Sequence, residues 1–220
     1  MEGKEDRNAA LHELIKREIS AHERIIFNGN GYDAAWVKEA TEVRKLLNYP
    51  TTPDCMPHLL DEKNVKMLTS HKVFNEAELH SRCEIMLDNY CKQVWIEVNT
   101  ELLIARRMIL PAIESYADKL SGTVAKKRAV NETLQCGYEK SIVETLSSIA
   151  DQIYQKAEEL EQTAENINGT EDIIKESQLI RDQILPKMQE LRSLADKAET
   201  YVSREYWPLP SYGELLFSVK

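Results

Sequence analysis

The chain has 220 residues, of which 42% are hydrophobic and 30% are charged. This composition is typical of a globular protein with its own core, and seven Gly and seven Pro are too few for a collagen-like or Gly/Pro-rich disordered chain. The net charge of −9 argues against nucleic acid as a partner. The densest basic run, Lys126-Lys127-Arg128, has no aromatic neighbour to stack on bases and fits a solvated helix face or turn.

The membrane is also excluded as a partner, because no stretch approaches the roughly 20 consecutive apolar residues that a spanning helix needs. The N-terminus lacks the apolar region of a secretory signal. The cysteines show no CxxC spacing, which fits a reducing compartment; they are Cys55, Cys83, Cys91 and Cys136. A cytoplasmic location is therefore predicted.

The first 72 or so residues combine predicted short helices with glycine-containing and proline-containing segments. A helix is predicted from about Asp6 to Arg24, followed by a short apolar run and the segment Asn28-Gly29-Asn30-Gly31-Tyr32. Asp33 is a good N-cap for a second helix, whose apolar face would carry Trp36, Val37, Ala40, Val43 and Leu47. Three prolines then impose an extended or turning path, and Asp61 could cap a short helix through Val65 and Leu68.

Three long helices are predicted after residue 74 from apolar residues that recur at close to the helix period. The first begins with a capping box of Asn75 and Glu78, next to a Phe74–Leu79 staple. Breaks are expected at Ser121-Gly122 and Asn131 and again at Asn168-Gly169-Thr170, with Thr170 starting the third helix. The three apolar series are Leu79, Cys83, Met86, Tyr90, Val94, Val98, Leu102, Ala105, Ile109, Ile113, Tyr116, Leu120 and Val124; Leu134, Tyr138, Ile142, Leu146, Ile149, Ile153, Ala157, Leu160, Ala164 and Ile167; and Ile180, Ile184, Met188, Leu191, Ala195, Ala198 and Val202.

The predicted fold class is all-α, an elongated bundle of three long antiparallel helices preceded by shorter helices. Pro111 and Pro186 lie inside helical patterns, and each should kink its helix, since the apolar period resumes beyond it. The stretch from Glu76 to Leu110 alone would be roughly 52 Å long. Short connections favour antiparallel neighbours.

Histidine and cysteine spacings argue against a metal site. There is no HExxH motif and no pair of histidines four residues apart, and Cys83 and Cys91 would lie roughly 12 Å apart along one helix. His80 precedes Cys83 by three residues, which leaves a base near a thiol as a catalytic alternative. Buried free cysteines are the simpler interpretation.

The glycine pair at Gly29 and Gly31 permits two interpretations. GxG after an apolar run and before a helix could cradle a phosphate, although the third glycine of that motif is missing. A tight turn that needs positive φ at both glycines is the simpler explanation.

Two further features indicate structure and not chemistry. The acidic side chains Glu158, Glu159, Glu161, Glu199 and Glu205 are expected on solvated helix faces. The aromatic tail from Tyr206 to Tyr212 is expected to pack back on the protein or on a neighbouring subunit. From the residues alone the chain is predicted to be a helical assembly module.

Three long motifs then resemble a known family. They are IIFNGNGY at Ile25–Tyr32, EKNVKMLTSHKVFNEAELHSRCEIMLDNYCK at Glu62–Lys92 and YWPLPSYGELLF at Tyr206–Phe217. Together with Thr51-Thr52-Pro53-Asp54 they resemble, in order, the C-terminal part of type III glutamine synthetase. Between about Val94 and Arg204 the resemblance lies in helical character and not in a motif.

The resemblance implies an enzyme that joins ammonia to glutamate with ATP and Mg²⁺ or Mn²⁺, through a γ-glutamyl phosphate. It also implies a cytoplasmic homo-oligomer of two stacked hexameric rings. The family's metal, nucleotide and glutamate motifs precede the region seen here. The resemblance therefore assigns no catalytic, cofactor-binding or metal-binding residue to this chain, which is expected to be inactive alone.

The resemblance also predicts a domain organisation. Residues 1–60 would be the end of the catalytic domain, and residues 61–220 would be the helical C-terminal domain. Its expected partners are the remainder of the catalytic domain and neighbouring subunits. The alternative is a freestanding helical scaffold protein without enzymatic activity.

Overall fold

The computed structural model describes residues 4–217, and the side chains from Arg7 onward. Among these residues the secondary structure is helical throughout, with no strand. Two compact units divide the chain between Pro50 and Thr51. The all-α prediction is confirmed.

The N-terminal unit contains α1 (Lys4–Ala21), a 3₁₀ turn (Glu23–Ile25) and α2 (Ala34–Lys38), which continues as a π-helical turn (Glu39–Val43). Asp33 caps α2 as predicted, since its Oδ1 accepts a hydrogen bond from the Ala35 backbone N–H at 2.9 Å. The predicted apolar face of this helix is largely uncovered, because Val43 and Leu47 are 73% and 75% exposed and only Ala40 is buried.

The second unit opens with short helices: α3 (Thr52–Cys55), a 3₁₀ turn (Met56–Leu60) and α4 (Glu62–Ser70). The α4 helix begins where predicted, and Asp61 occupies its N-cap position. Asp61 makes no side-chain capping bond, because its Oδ2 instead lies 3.0 Å from Nδ1 of His58.

The long helices follow. They are α5 (Glu76–Ile104), α6 (Leu110–Val130), α7 (Gly137–Ile167), α8 (Ile173–Leu179), α9 (Leu185–Glu199) and, in the tail, α10 (Tyr212–Phe217). The predicted capping box is present, with Asn75 and Glu78 each bonding the other's backbone N–H. Each proline follows a π-helical turn: Ala105–Ile109 joins α5 to α6 before Pro111, and Ile180–Ile184 joins α8 to α9 before Pro186.

Two predicted breaks are wrong in detail. Ser121 and Gly122 lie inside α6, which ends only at Val130, because an exposed helix tolerates one glycine for about 1 kcal/mol. Thr170 does not cap the last segment; its hydroxyl donates to the carbonyl of Ile167, and Asp172 caps α8. Gly169, at φ +87°, supplies the left-handed residue that ends α7.

The core of the second unit lies where α6 packs on α7, α7 on α9 and α8 on α5. The predicted apolar series supply most of it, but Leu134 and Tyr138 at the start of the second series are 41% and 65% exposed. In the first series Met86 is 50% exposed and Leu87, one residue away, is fully buried. One residue rotates a helix face by 100°, so near a stripe's edge the periodicity did not distinguish the two. The fully buried residues include Leu79, Leu87, Ile113, Leu146, Ile149, Ile153, Leu160, Ile180, Ile184 and Leu191.

Candidate functional site

The Ile25–Tyr32 motif of the N-terminal unit is built around an aromatic stack. The rings of Phe27 and Trp36 lie 3.9 Å apart between centroids and 17° from parallel. The Arg44 guanidinium carbon lies 5.0 Å from the Trp36 ring centroid, and the same group donates to Oε1 of Glu39 and to the carbonyl of Ile26. The stack and its arginine fix the path of the loop.

The two glycines of this motif do not serve the predicted turn, because neither has a positive φ. Gly29 is required instead by close approach: a Cβ there would lie 2.4 Å from the Phe27 ring. At Gly31 a Cβ would meet nothing within 4 Å. The first glycine makes room for a packed ring and needs no left-handed backbone.

A phosphate cradle does not fit this loop. The ring of Phe27 fills the space beside Gly29. Two backbone N–H groups next to the glycines are bonded within the loop: Tyr32 donates to Oδ1 of Asn30, and Asp33 donates to the carbonyl of Asn30. The motif is therefore built for packing, and no nucleotide-binding residue is assigned to it.

Cys83 and Cys91, which sequence analysis considered as metal or catalytic candidates, are buried free thiols. Burial is the main cause that raises the pKa of Cys83, whose Sγ donates to the carbonyl of Met56 at 3.4 Å. Burial likewise raises the pKa of Cys91 to about 11. A thiol that stays protonated at neutral pH is a poor nucleophile, so His80 and Cys83 do not form a catalytic pair.

The residues present do not fit the metal that the family resemblance implies for a full-length enzyme. Among the side chains that the structure describes, from Arg7 to Phe217, no three His, Cys, Asp or Glu come together as a group that could hold a metal ion. No step through a metal is derived from this chain. In the same range no helix is long and apolar enough to cross a membrane.

Of the acidic residues expected on solvated helix faces, Glu159, Glu199 and Glu205 are exposed, whereas Glu158 and Glu161 are partly buried and bind an arginine. Arg106, in the π-helical turn before α6, donates to Oε1 of Glu158 at 2.5 Å and to Oε2 of Glu161 at 2.6 Å on α7. Those bonds lower the pKa of Glu161. Glu159 bonds Lys156 at 2.9 Å. The two Arg106 pairs join the π-helical turn to α7, whereas Lys156 and Glu159 both lie on α7.

Two longer-range contacts tie α5 and α3 to the segment of α8. The Trp95 indole N–H donates to Oε1 of Glu176, a buried carboxylate, at 2.9 Å. Arg181 pairs with Asp54, the last residue of the Thr51–Asp54 motif. This ion pair links the Thr51–Asp54 motif to the π-helical turn between α8 and α9.

The C-terminal motif also packs inward. Trp207 is buried in the core of the second unit, and the Tyr206 ring centroid lies 5.4 Å from that of Tyr116 on α6. This confirms that the tail packs back on the protein. In α10, by contrast, Leu215, Leu216 and Phe217 are 59–78% exposed.

One acidic residue in the second unit was not singled out by sequence analysis. Glu101 lies on α5, and burial raises its carboxyl pKa to about 7, against a smaller opposing effect of Arg192. Its Oε1 is buried without a hydrogen-bond partner among the described residues. The sequence gives one indication that Glu101 is partly buried: it directly precedes Leu102, a member of the first apolar series.

Comparison with known proteins agrees with the motifs. The family model described as glutamine synthetase C-terminal domain matches residues 10–128. The chain is 31% identical over 210 residues to a glutamine synthetase of Butyrivibrio fibrisolvens and 29% identical over 219 residues to a type-3 glutamine synthetase of Dictyostelium discoideum. It is 27% identical over 216 residues to a glutamine synthetase of Bacteroides fragilis (strain YCH46). Each match covers 96% of this chain, which spans only about 30% of the length of these relatives.

Proposed function

Because the chain belongs to the glutamine synthetase C-terminal domain family, we propose that it is the C-terminal segment of a glutamate–ammonia ligase that uses ATP. Its role in that enzyme is structure and subunit assembly. Residues 1–60 complete the catalytic domain, and residues 61–220 form the helical extension. The proposed location is the cytoplasm.

The observation that carries this proposal is an uncovered apolar stripe on α1. Leu11, Leu14, Ile15 and Ile19 follow the spacing of one helix face, and each is between 43% and 52% exposed. A contiguous exposed apolar face marks an interaction surface. The proposed cover is the part of the ligase that this chain lacks, since the relatives it matches are about three times longer.

We propose that the second unit supplies surfaces between subunits. Its three long segments would run antiparallel and bend at Pro111 and Pro186, and the exposed side chains of α10 would extend the contact area. Assembly of a homo-oligomer can then bias the state of an active site that lies elsewhere in the enzyme.

The proposed chain contributes no catalytic, cofactor-binding or metal-binding residue. ATP and Mg²⁺ or Mn²⁺ would be bound by the remainder of the enzyme. This assignment is supported by the filled space beside Gly29 and by the protonated thiols of Cys83 and Cys91.

A dye-binding experiment tests the proposed interface. The isolated chain should enhance the fluorescence of a hydrophobic dye and self-associate, and a variant with Leu11→Gln, Leu14→Lys, Ile15→Gln and Ile19→Lys should lose most of both effects. The matched control changes four apolar residues of similar exposure that are scattered over the second unit: Ile85, Leu103, Leu134 and Ile174. Equal losses in the two variants would overturn the proposal that the α1 stripe is the interface.

An immunoblot of the source cells separates the ligase from a freestanding scaffold. An antibody against the Tyr206–Phe217 peptide should detect a band several times heavier than 25.3 kDa. A lone band near 25 kDa would mean that the cell makes a separate helical protein, and the ligase assignment would then describe only its ancestry.

A further inference from the structure

A groove on the second unit lies beside the π-helical turn Ala105–Ile109. It runs between the end of α5 with its π-helical turn and the start of α9, with Leu209 of the tail at its edge. Its volume is about 710 Å³, within the range of small-molecule sites. The walls are mainly apolar and include Ile96, Ile104, Leu185 and Met188.

The carboxyl group of Glu101 lines this groove. Within residues 4–217 its Oε1 has no donor, although the atom is shielded from solvent. A buried acceptor without a donor is costly, by about 1–3 kcal/mol and more when it is charged. A positive charge held in the groove beside this carboxyl group would offset part of that cost.

The other charges around the groove give it an acidic balance. Glu97 on α5 and Asp196 on α9 are acidic, and Arg192 on α9 is the basic side chain that lines it. Arg192 forms an ion pair with Asp196, in which Nε lies 3.6 Å from Oδ2, and both side chains are largely exposed. Glu97 accepts a hydrogen bond from Gln93 at 3.0 Å. Glu101 is therefore the charged group left for an occupant of the groove.

We propose that this groove binds a small organic cation, an ammonium ion on an apolar body. The ammonium group pairs with the Glu101 carboxylate, and the apolar body packs against Ile104, Leu185 and Met188. Charge complementarity selects this class, because an anion would face the carboxylates of Glu97, Glu101 and Asp196, and a neutral apolar molecule would leave the Glu101 carboxylate without a counter-charge. The inference does not depend on the proposed ligase assignment.

The test is a titration of the 220-residue chain with 2-phenylethylammonium, with 2-phenylethanol as its neutral analogue. Methionine methyl groups labelled with ¹³C report binding by NMR, since Met188 lines the groove and Met86 lies elsewhere on α5. At pH 8 the ammonium ion should shift the Met188 signal saturably and leave the Met86 signal in place. The alcohol should bind at least tenfold more weakly.

Two isosteric variants test which carboxylate binds the ammonium group. Glu101→Gln should weaken ammonium binding at least tenfold, whereas Glu97→Gln, the matched rim control, should change it less than twofold. Binding should also weaken about tenfold from pH 8 to pH 6, because a proton on Glu101 competes while the amine, like that of lysine, stays charged. Equal affinity for the alcohol, unchanged binding by Glu101→Gln, or no shift of Met188 would each overturn the proposal.

Discussion

Some residues in this chain have a structural role that is set by one neighbouring side chain. Gly29 is the clearest, since its hydrogen faces the Phe27 ring at a distance that no side chain could occupy. That ring cannot simply move away, because Trp36 stacks on it at 3.9 Å and Arg44 covers the stack. The glycine and the stack form one packing unit.

We predict that Gly29→Ala disrupts the stack and destabilises the N-terminal unit by about 1–3 kcal/mol, as expected for overpacking. The readout is the Trp36 indole signal in a ¹H–¹⁵N spectrum, identified by its loss in Trp36→Phe. Gly31→Ala is the matched control, because its Cβ meets nothing within 4 Å. Equal effects of the two substitutions would show that the ring contact is not the reason for the glycine.

Glu101 is the second such residue, because its environment makes the stability of the chain depend on pH. Burial raises its pKa from an ordinary 4.5 to about 7 in the folded chain, so the folded state holds a proton that the unfolded state releases. The stabilisation from this proton is fully present below about pH 4.5 and is lost as the pH rises through about 7.

Glu101→Gln should therefore be more stable than the wild type at pH 8, by about 1–2 kcal/mol after allowance for partial exposure, and nearly equal to it at pH 5. Urea unfolding at both pH values measures the difference. A constant difference between the two proteins from pH 5 to pH 8 would contradict the assignment of this titration to Glu101.

At the scale of elements, the π-helical turns explain how two prolines sit inside long helical segments. A proline in a regular helix loses its own hydrogen bond and clashes with the carbonyl four residues before it. In the Ala105–Ile109 turn the backbone hydrogen bonds join residues five positions apart, as in the bond from the Leu110 N–H to the carbonyl of Ala105. The wider turn carries one extra residue and lets the apolar stripe continue on the same face.

We predict that deletion of Arg107, which is exposed in this turn, is tolerated when combined with Pro111→Ala, because it converts the π-helical turn into a regular one. The flanking faces then stay in register. Deletion of Glu84, equally exposed but inside α-helical α5, should rotate the preceding part of the helix by about 100° and abolish cooperative unfolding. Thermal unfolding followed by circular dichroism distinguishes the two, and similar losses would contradict the role of the extra residue.

For the whole molecule, the two units differ in how well they bury their apolar side chains. The second unit has a continuous core, whereas the N-terminal unit leaves Leu11, Ile19, Val43 and Leu47 exposed. This difference supports the proposal that the N-terminal unit is completed by a part of the ligase outside this chain.

The corresponding prediction is that the purified chain forms no γ-glutamyl hydroxamate from glutamate, hydroxylamine, ATP and Mg²⁺ or Mn²⁺. The reason is that transfer of a phosphoryl group needs metal and phosphate ligands positioned around it. A full-length type III glutamine synthetase is the positive control. ATP-dependent product above the no-enzyme rate would contradict the proposed division of roles.

The sequence by itself determined the helical class, the capped start of α5, most of the buried stripes and the family. These features are local, because a helix is defined by bonds over four or five residues and a cap by side chains three apart. Tertiary structure alone decided that Glu101 is desolvated, that Arg106 pairs with Glu158 and Glu161, and that Arg181 holds Asp54. Those contacts join residues 52 to 127 positions apart, and they depend on which helix faces meet in the folded protein.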